Sequence, residues 1–333
     1  MNAVLSPQSD NFWVRFWHQP VRAERLALMR ILLALALLGD QFCQFLPNLA
    51  HFYGPDGVGP DGLFKSQLVS WKWTYAFFST DNMTIIYPAF ALWVVVTVLF
   101  LFGWRTRWTT FALWFLTRCF IDRNPDLRNK GDDTLQVALF LLLLSPCGQA
   151  LSLDVWRLRR KGLVTGPVWV KPWSLRLIQL QLCLIYCTTG LVKLKGTHWM
   201  EGSFLEWFQG TWWDGRSVHF VLNLTERGHW AYAQLPLPFW ITMPMTYTSV
   251  WWECLFPLLM LNRWTRRLAL TMGVLFHVGI SVVIEVGFFG FYTLSFYGAW
   301  TPDRFWSRFD KPVNTERHPV PLAASLLMKG ASR

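Results

Sequence analysis

Lys193 closes an apolar stretch running from Leu175 to Leu194, inside the segment Thr188-Thr-Gly-Leu-Val-Lys-Leu-Lys-Gly-Thr-His-Trp-Met-Glu201-Gly202. An amine held in hydrocarbon costs at least about 2.5 kcal/mol, so it must snorkel to water, find a partner or shed its proton. The last of these makes a base. Glu253 and His277 lie within later apolar runs, where ionisable groups face a bundle interior or a wet cavity. Tyr186 stands two turns before Lys193 on about the same helical face. A second polar group, Arg118, Asp122, Arg123, Asn124, Asn129, Asp132 and Asp133, falls between two apolar runs. Lys195, His198, Glu201 and Glu285 close others. Asp133 is placed to cap the helix that follows it, while Asp132 stays open between capping and ligand contact. Arg30, also inside an apolar run, needs a partner. Asp40 is too distant, roughly 15 Å along a helix, which leaves Glu253 or Asp154. No metal-ligand spacing is present, and no metal is expected.

The elements that must position these groups are membrane helices. Hydrophobic residues make up 53% of the 333, aromatics 17% and charged residues only 15%, a balance that excludes an ordinary soluble domain. Tryptophans at the ends of apolar runs (Trp71, Trp73, Trp199, Trp212, Trp213, Trp251, Trp252) read as interfacial anchors. Apolar runs predict about eight transmembrane spans, near 26–46, 83–103, 107–121, 134–151, 175–195, 241–261, 266–284 and 286–300, the third and eighth being short. The fold class is therefore an all-α integral membrane bundle. The first span is expected to be retained rather than cleaved as a signal. Arginine and lysine clusters at 157–161 and 263–267 place both termini in the cytoplasm. Three segments follow: residues 1–25 as an aromatic and basic interfacial segment, 26–300 as the transmembrane domain, and 301–333 as a cytoplasmic tail. The net charge of +11 is then a matter of orientation and anionic lipid contact, and no nucleic acid partner is called for. The stretch 196–240 is too polar to span and is expected to lie on, or re-enter, the outer leaflet as a lid. Six cysteines include Cys183 and Cys187 one turn apart, most simply read as buried small apolar groups.

Ordered motifs carry a resemblance. Leu28-Met-Arg-Ile-Leu-Leu33, Phe52-Tyr-Gly-Pro-Asp-Gly-Val58, Arg123-Asn-Pro125, Gly131-Asp-Asp-Thr-Leu135, Ser152-Leu-Asp154 and Leu175-Arg-Leu-Ile-Gln-Leu-Gln181, leading to Tyr186, Gly190 and Lys193-Leu194, resemble the HTTM domain over about residues 20–300. That membrane domain is shared with vitamin K-dependent gamma-glutamyl carboxylase. The resemblance implies that Lys193 matches a lysine that deprotonates vitamin K hydroquinone. O₂ then generates a strong base that removes a glutamate gamma proton, and CO₂ adds. It implies that His277 donates a hydrogen bond to a quinone oxygen; by their positions Tyr186, Asp132, Asn124 and Glu253 are expected in the cofactor-binding set. The cofactor would be vitamin K hydroquinone or another reduced quinone.

Two departures limit the transfer. The carboxylase has a histidine where this chain has Asn129-Lys-Gly-Asp-Asp133, and the chain lacks the carboxylase's long luminal portion that binds protein substrates. The expectation is accordingly a quinone-linked epoxidase or carboxylase-like enzyme with a site opening to the extracytoplasmic side, in a bacterial inner membrane. Its partners would be membrane lipid and a lipophilic quinone. The alternative is a non-catalytic lipid- or quinone-binding protein or scaffold. Under it Lys193 snorkels, and His277 is a core histidine bonded to a carbonyl.

Overall fold

The computed structural model describes residues 11–58, 80–124, 127–195, 215, 217–219, 237–283 and 286–310. Several sequence expectations, among them His198, Glu201, Glu285, the lid over 196–240 and the tail beyond 312, lie outside those residues, as does the Lys195 side chain. The chain is mostly helical and divides into two compact units, residues 1–178 with 295–333, and residues 179–294.

In the first unit, α1 (Phe12–His18) starts at Asn11, whose side chain accepts from the Trp13 N–H. The Arg176 guanidinium lies 4.6 Å from the Phe16 ring centroid and donates to the Phe16 carbonyl at 3.0 Å. A two-residue antiparallel bridge pairs β1 (Val21–Arg22) with β2 (Trp169–Val170). Next, α2 (Glu24–Asp40) passes through a π-helical segment, Gln41–Phe45, into α3 (Leu46–Tyr53) without leaving helix. The first apolar run thus reaches Tyr53, beyond the 46 expected, with Asp40 buried within it.

α4 (Met83–Phe102) is capped by Asn82, which accepts from the Thr84 N–H at 3.0 Å, and ends at Gly103 in the left-handed region. That glycine is required twice over. Its φ is +64°, and a Cβ there would sit 2.4 Å from the Arg30 guanidinium. α5 (Thr106–Arg123) has no cap of its own, because Arg105 before it is left-handed at φ 44°. Asp154 supplies the cap, accepting from the Arg105 and Thr106 N–H groups at 2.8 and 2.9 Å and from the Thr106 hydroxyl at 2.9 Å. Asp154 belongs to α7 (Leu153–Arg160), a short helix capped by Ser152.

α6 (Lys130–Leu143) stops eight residues short of the expected 151, and the expected eighth span is two short pieces, α11 (Phe289–Ser295) and a 3₁₀ turn, Phe296–Trp300. α2 packs on α4 and on Phe296–Trp300, α4 on α5, and α5 on α6. At Gly298 a Cβ would meet the Met29 backbone nitrogen at 2.7 Å, so only glycine lets the turn lie against α2. The second unit holds most of α8 (Trp173–Lys195) together with α9 (Phe239–Leu259) and α10 (Arg263–Val283), the last two packed on each other.

Among the described residues, three helices are long and apolar enough to cross a membrane: Glu24–Tyr53, Met83–Phe102 and Trp173–Leu194. α5 falls short because Arg107, Arg118, Asp122 and Arg123 interrupt it, and α6 because it has only 14 residues.

Candidate functional site

Lys193 does not stand alone. Its Nζ lies 2.8 and 2.7 Å from the two carboxylate oxygens of Glu253, and the side chains are 22% and 4% exposed. The pairing links α8 to α9, and Gly190 makes it sterically feasible. A Cβ on Gly190 would come within 2.7 Å of the Cys254 nitrogen and 3.0 Å of the Glu253 Cβ, so the two helices approach backbone to backbone one turn before the lysine. A carboxylate buried this deeply is tolerated because it is bonded to a cation through both oxygens.

A second polar pair stands beside the first. The Tyr186 hydroxyl and the His277 Nε2 are 2.7 Å apart, and both residues are buried. Tyr186 packs on Trp252 and Phe256, with ring centroids 4.7 and 4.4 Å away. Phe276 joins the two pairs: its ring lies 5.5 Å from the Lys193 Nζ, 5.3 Å from Trp252 and 5.4 Å from His277. Phe289 closes on the far side of His277 at 5.6 Å. Gly290 permits this, since a Cβ there would press on the His277 carbonyl at 3.2 Å.

Among the described residues the buried His277 Nδ1 has no hydrogen-bond partner. The two ring nitrogens are coupled through the tautomer. When Tyr186 donates to Nε2, a neutral imidazole carries its proton on Nδ1, and that N–H is an unused donor inside an aromatic shell. A buried donor left unsatisfied costs roughly 1–3 kcal/mol, which a ligand oxygen would recover.

Four of the six residues picked from sequence thus come together: Lys193, Glu253, Tyr186 and His277. Asn124 and Asp132 belong to the first unit, where both have local duties. The Asn124 amide donates to the Phe52 carbonyl at 2.8 Å, and among the described residues its buried Oδ1 has no partner. Asp132 is the N3 member of a capping box, accepting from the Asn129 N–H at 2.8 Å while Asn129 accepts from Gly131. Burial pushes its carboxyl up to about 6, against the lowering pull of the Asn129 bond. Asn129 and Asp132 therefore cap α6. The expected cap, Asp133, instead faces outward to pair with Arg128 and Lys130. Arg30 is bound by neither Glu253 nor Asp154: its two Nη groups donate to the carbonyls of Cys147 and Leu151.

The family model for the HTTM domain matches residues 18–300. This chain belongs to the HTTM domain family. No curated protein and no solved structure matches it. The HTTM region thus covers both the capped polar helix ends of the first unit and the Lys193–Glu253 and Tyr186–His277 pairs of the second.

Sequence reading missed Trp252, Phe256, Phe276 and Phe289. Trp251 and Trp252 read alike as anchors, yet Trp251 is half exposed while Trp252 is buried and donates its Nε1–H to the Ala269 carbonyl. The available signal was position: Trp252 and Phe256 flank Glu253, and Phe276 precedes His277.

Proposed function

We propose that this HTTM protein is an integral-membrane enzyme of a bacterial plasma membrane that uses a reduced quinone. Lys193 and His277 act on it, and Tyr186 and Glu253 support them, at a site opening to the extracytoplasmic side. The observation that carries this reading is the unused His277 Nδ1 in an aromatic shell that also touches a buried Lys193–Glu253 pair.

The residue types suit a quinone-type ring: Trp252, Phe256, Phe276 and Phe289 are aromatic, and Phe276 lies between the Lys193 amine and the His277 imidazole. A reduced quinone bound there supplies an acidic phenolic O–H and the two electrons that O₂ accepts. The His277 Nδ1–H orients a ligand oxygen by donating to it. Tyr186 fixes the tautomer by donating to Nε2. Lys193 and Glu253 hold one proton between Nζ and Oε. When that proton rests on the carboxylate, the Lys193 amine is neutral and accepts the phenolic proton as general base. When it rests on Nζ, the ammonium stabilises the oxyanion left behind. The rings exclude water and so strengthen both effects. O₂ reaches the bound ring through the lipid phase, and CO₂ is the added group if the reaction goes on to carboxylation.

A second reading has a specific observation in its favour. The same Lys193–Glu253 bond, made through both oxygens at rest, serves equally as a staple between α8 and α9 in a protein that binds a quinone or lipid without turning it over. One experiment separates the two. Purified, detergent-solubilised protein is given a reduced naphthoquinone under O₂, and the epoxide product is followed by mass spectrometry. The enzyme reading expects epoxide from wild type and a loss of at least ~100-fold in Lys193→Ala. Folded wild type that makes no epoxide overturns it in favour of binding.

A further inference from the structure

Three thiols of α8 and α9, Cys183, Cys187 and Cys254, take no part in the chemistry above, and Cys254 directly follows Glu253. Cys183, Cys187 and Gly190 follow one another at spacings of four and three, so they share one stripe of α8. The Cys254 sulfur on α9 lies against that stripe: a Cβ on Gly190 would be 2.7 Å from its Sγ and 2.7 Å from its backbone nitrogen. Cys254 and Cys187 are electrostatic neighbours of each other, and Cys254 is also a neighbour of both Glu253 and Lys193. All three cysteines are free thiols of intermediate exposure, within reach of small lipophilic reagents. Cys254 thus lies against α8 at Gly190, where the two backbones touch, one turn from Cys187. Short helix separation of this kind is what a disulfide requires, since its Cα atoms must lie within about 7 Å.

We propose that Cys187 and Cys254 are a dithiol redox couple joining α8 to α9, oxidised by a lipophilic quinone. The inference rests on the quinone reading above. In the reaction two S–H bonds break and one S–S bond forms. Two electrons pass to the quinone and two protons go to its two oxygens, giving the quinol that the neighbouring base would use. Cys183, one turn further along the stripe, is placed to resolve or reshuffle the bond by thiol–disulfide exchange. Oxidation would also lock α8 on α9 next to Glu253, so the same couple would govern how freely the ion pair opens.

The test treats the full-length protein in detergent, under argon, with a decyl benzoquinone substituted at every ring position, so that thiols cannot add to the ring. Free thiols are then alkylated and linked peptides are mapped by mass spectrometry. The expected result is a Cys187–Cys254 link in most of the wild-type protein with one quinol formed per link, no such link in Cys254→Ser, and its persistence in Cys183→Ser. Diamide, a thiol oxidant unrelated to quinones, is run in parallel. A link formed by diamide but not by the quinone overturns the redox couple while keeping the contact, and no link with either overturns the contact as well. If Cys254→Ser fails to fold, as judged by size-exclusion profile and tryptophan fluorescence, Cys187→Ser takes its place. The proton-transfer reading is decided separately, by epoxide formation in wild type, so each proposal fails on its own measurement.

Discussion

In the first unit Arg30 gives its guanidinium to two backbone carbonyls, whereas in the second Lys193 and Glu253 give their charges to each other. The same contrast runs through the other polar residues that sequence reading singled out. Asp154, Asp132 and Asn124 bond to backbone N–H or C=O groups and so fix helix ends and turns. Tyr186 and His277 bond side chain to side chain from two helices, and one ring nitrogen is left over. A buried charge satisfied by the backbone cannot change partner without unravelling local structure. One satisfied by another side chain can exchange a proton or a partner at the cost of a rotamer change. This difference, more than burial itself, separates polar residues that hold the fold from those able to do chemistry.

The largest effect expected to break the comparison is Lys193→Ala, which leaves Glu253 as an uncompensated buried carboxylate. A loss of about 3–5 kcal/mol is expected, with the Lys193→Met, Glu253→Leu double variant recovering most of it. Thermal unfolding in detergent, followed by tryptophan fluorescence, measures both, and an additive double variant would show that the two groups are not coupled. Arg30→Met should cost roughly 2–4 kcal/mol by stranding the carbonyls of Cys147 and Leu151. In contrast to Lys193, no single second substitution should rescue it, because its partners are main chain.

Asp132 sharpens the comparison through pH. Its folded value of about 6 lies above the ordinary 3.8, so between those values the folded protein holds more proton than the unfolded chain. Stability is then highest below about 4 and falls as pH rises through 6, by roughly 1–2 kcal/mol after relaxation. Asp132→Asn keeps an acceptor for the Asn129 N–H and should flatten that slope without touching quinone turnover. The smallest change in stability is expected for Tyr186→Phe, about 1 kcal/mol. Its turnover should nevertheless fall more than tenfold, because the His277 tautomer is no longer fixed. A Tyr186→Phe protein with full turnover would move the pair to the structural class.

Much of the site was legible because the signal was chemical cost. Charged or polar residues inside apolar runs are few, and each demands an explanation, which drew attention to Lys193, Glu253 and His277 wherever their helices happened to lie. The Tyr186 to Lys193 spacing is a property of a single helix and was equally readable. The partners were not. Spacing leaves Glu253 or Asp154 as the partner of Arg30, and the pairing that Glu253 makes instead, with Lys193, depends on Gly190 letting α8 touch α9. Asp133 was preferred as the cap because it immediately precedes the apolar run. The helix begins earlier, at Lys130, which hands the role to Asn129 and Asp132. The aromatic shell stayed hidden for a related reason: Trp251 and Trp252 are chemically identical, and only the rotation of α9 decides which one is buried.

The sequence by itself determined that this chain belongs in a membrane, that it is helical and that it carries HTTM motifs. These follow from composition and from short-range spacing, which act along the chain. The tertiary structure alone decided which charges meet, which helix ends are capped from 48 or 49 residues away, and which face of each helix turns inward. Those outcomes depend on close contacts at Gly103, Gly190 and Gly298, where the absence of a side chain sets how closely two elements approach.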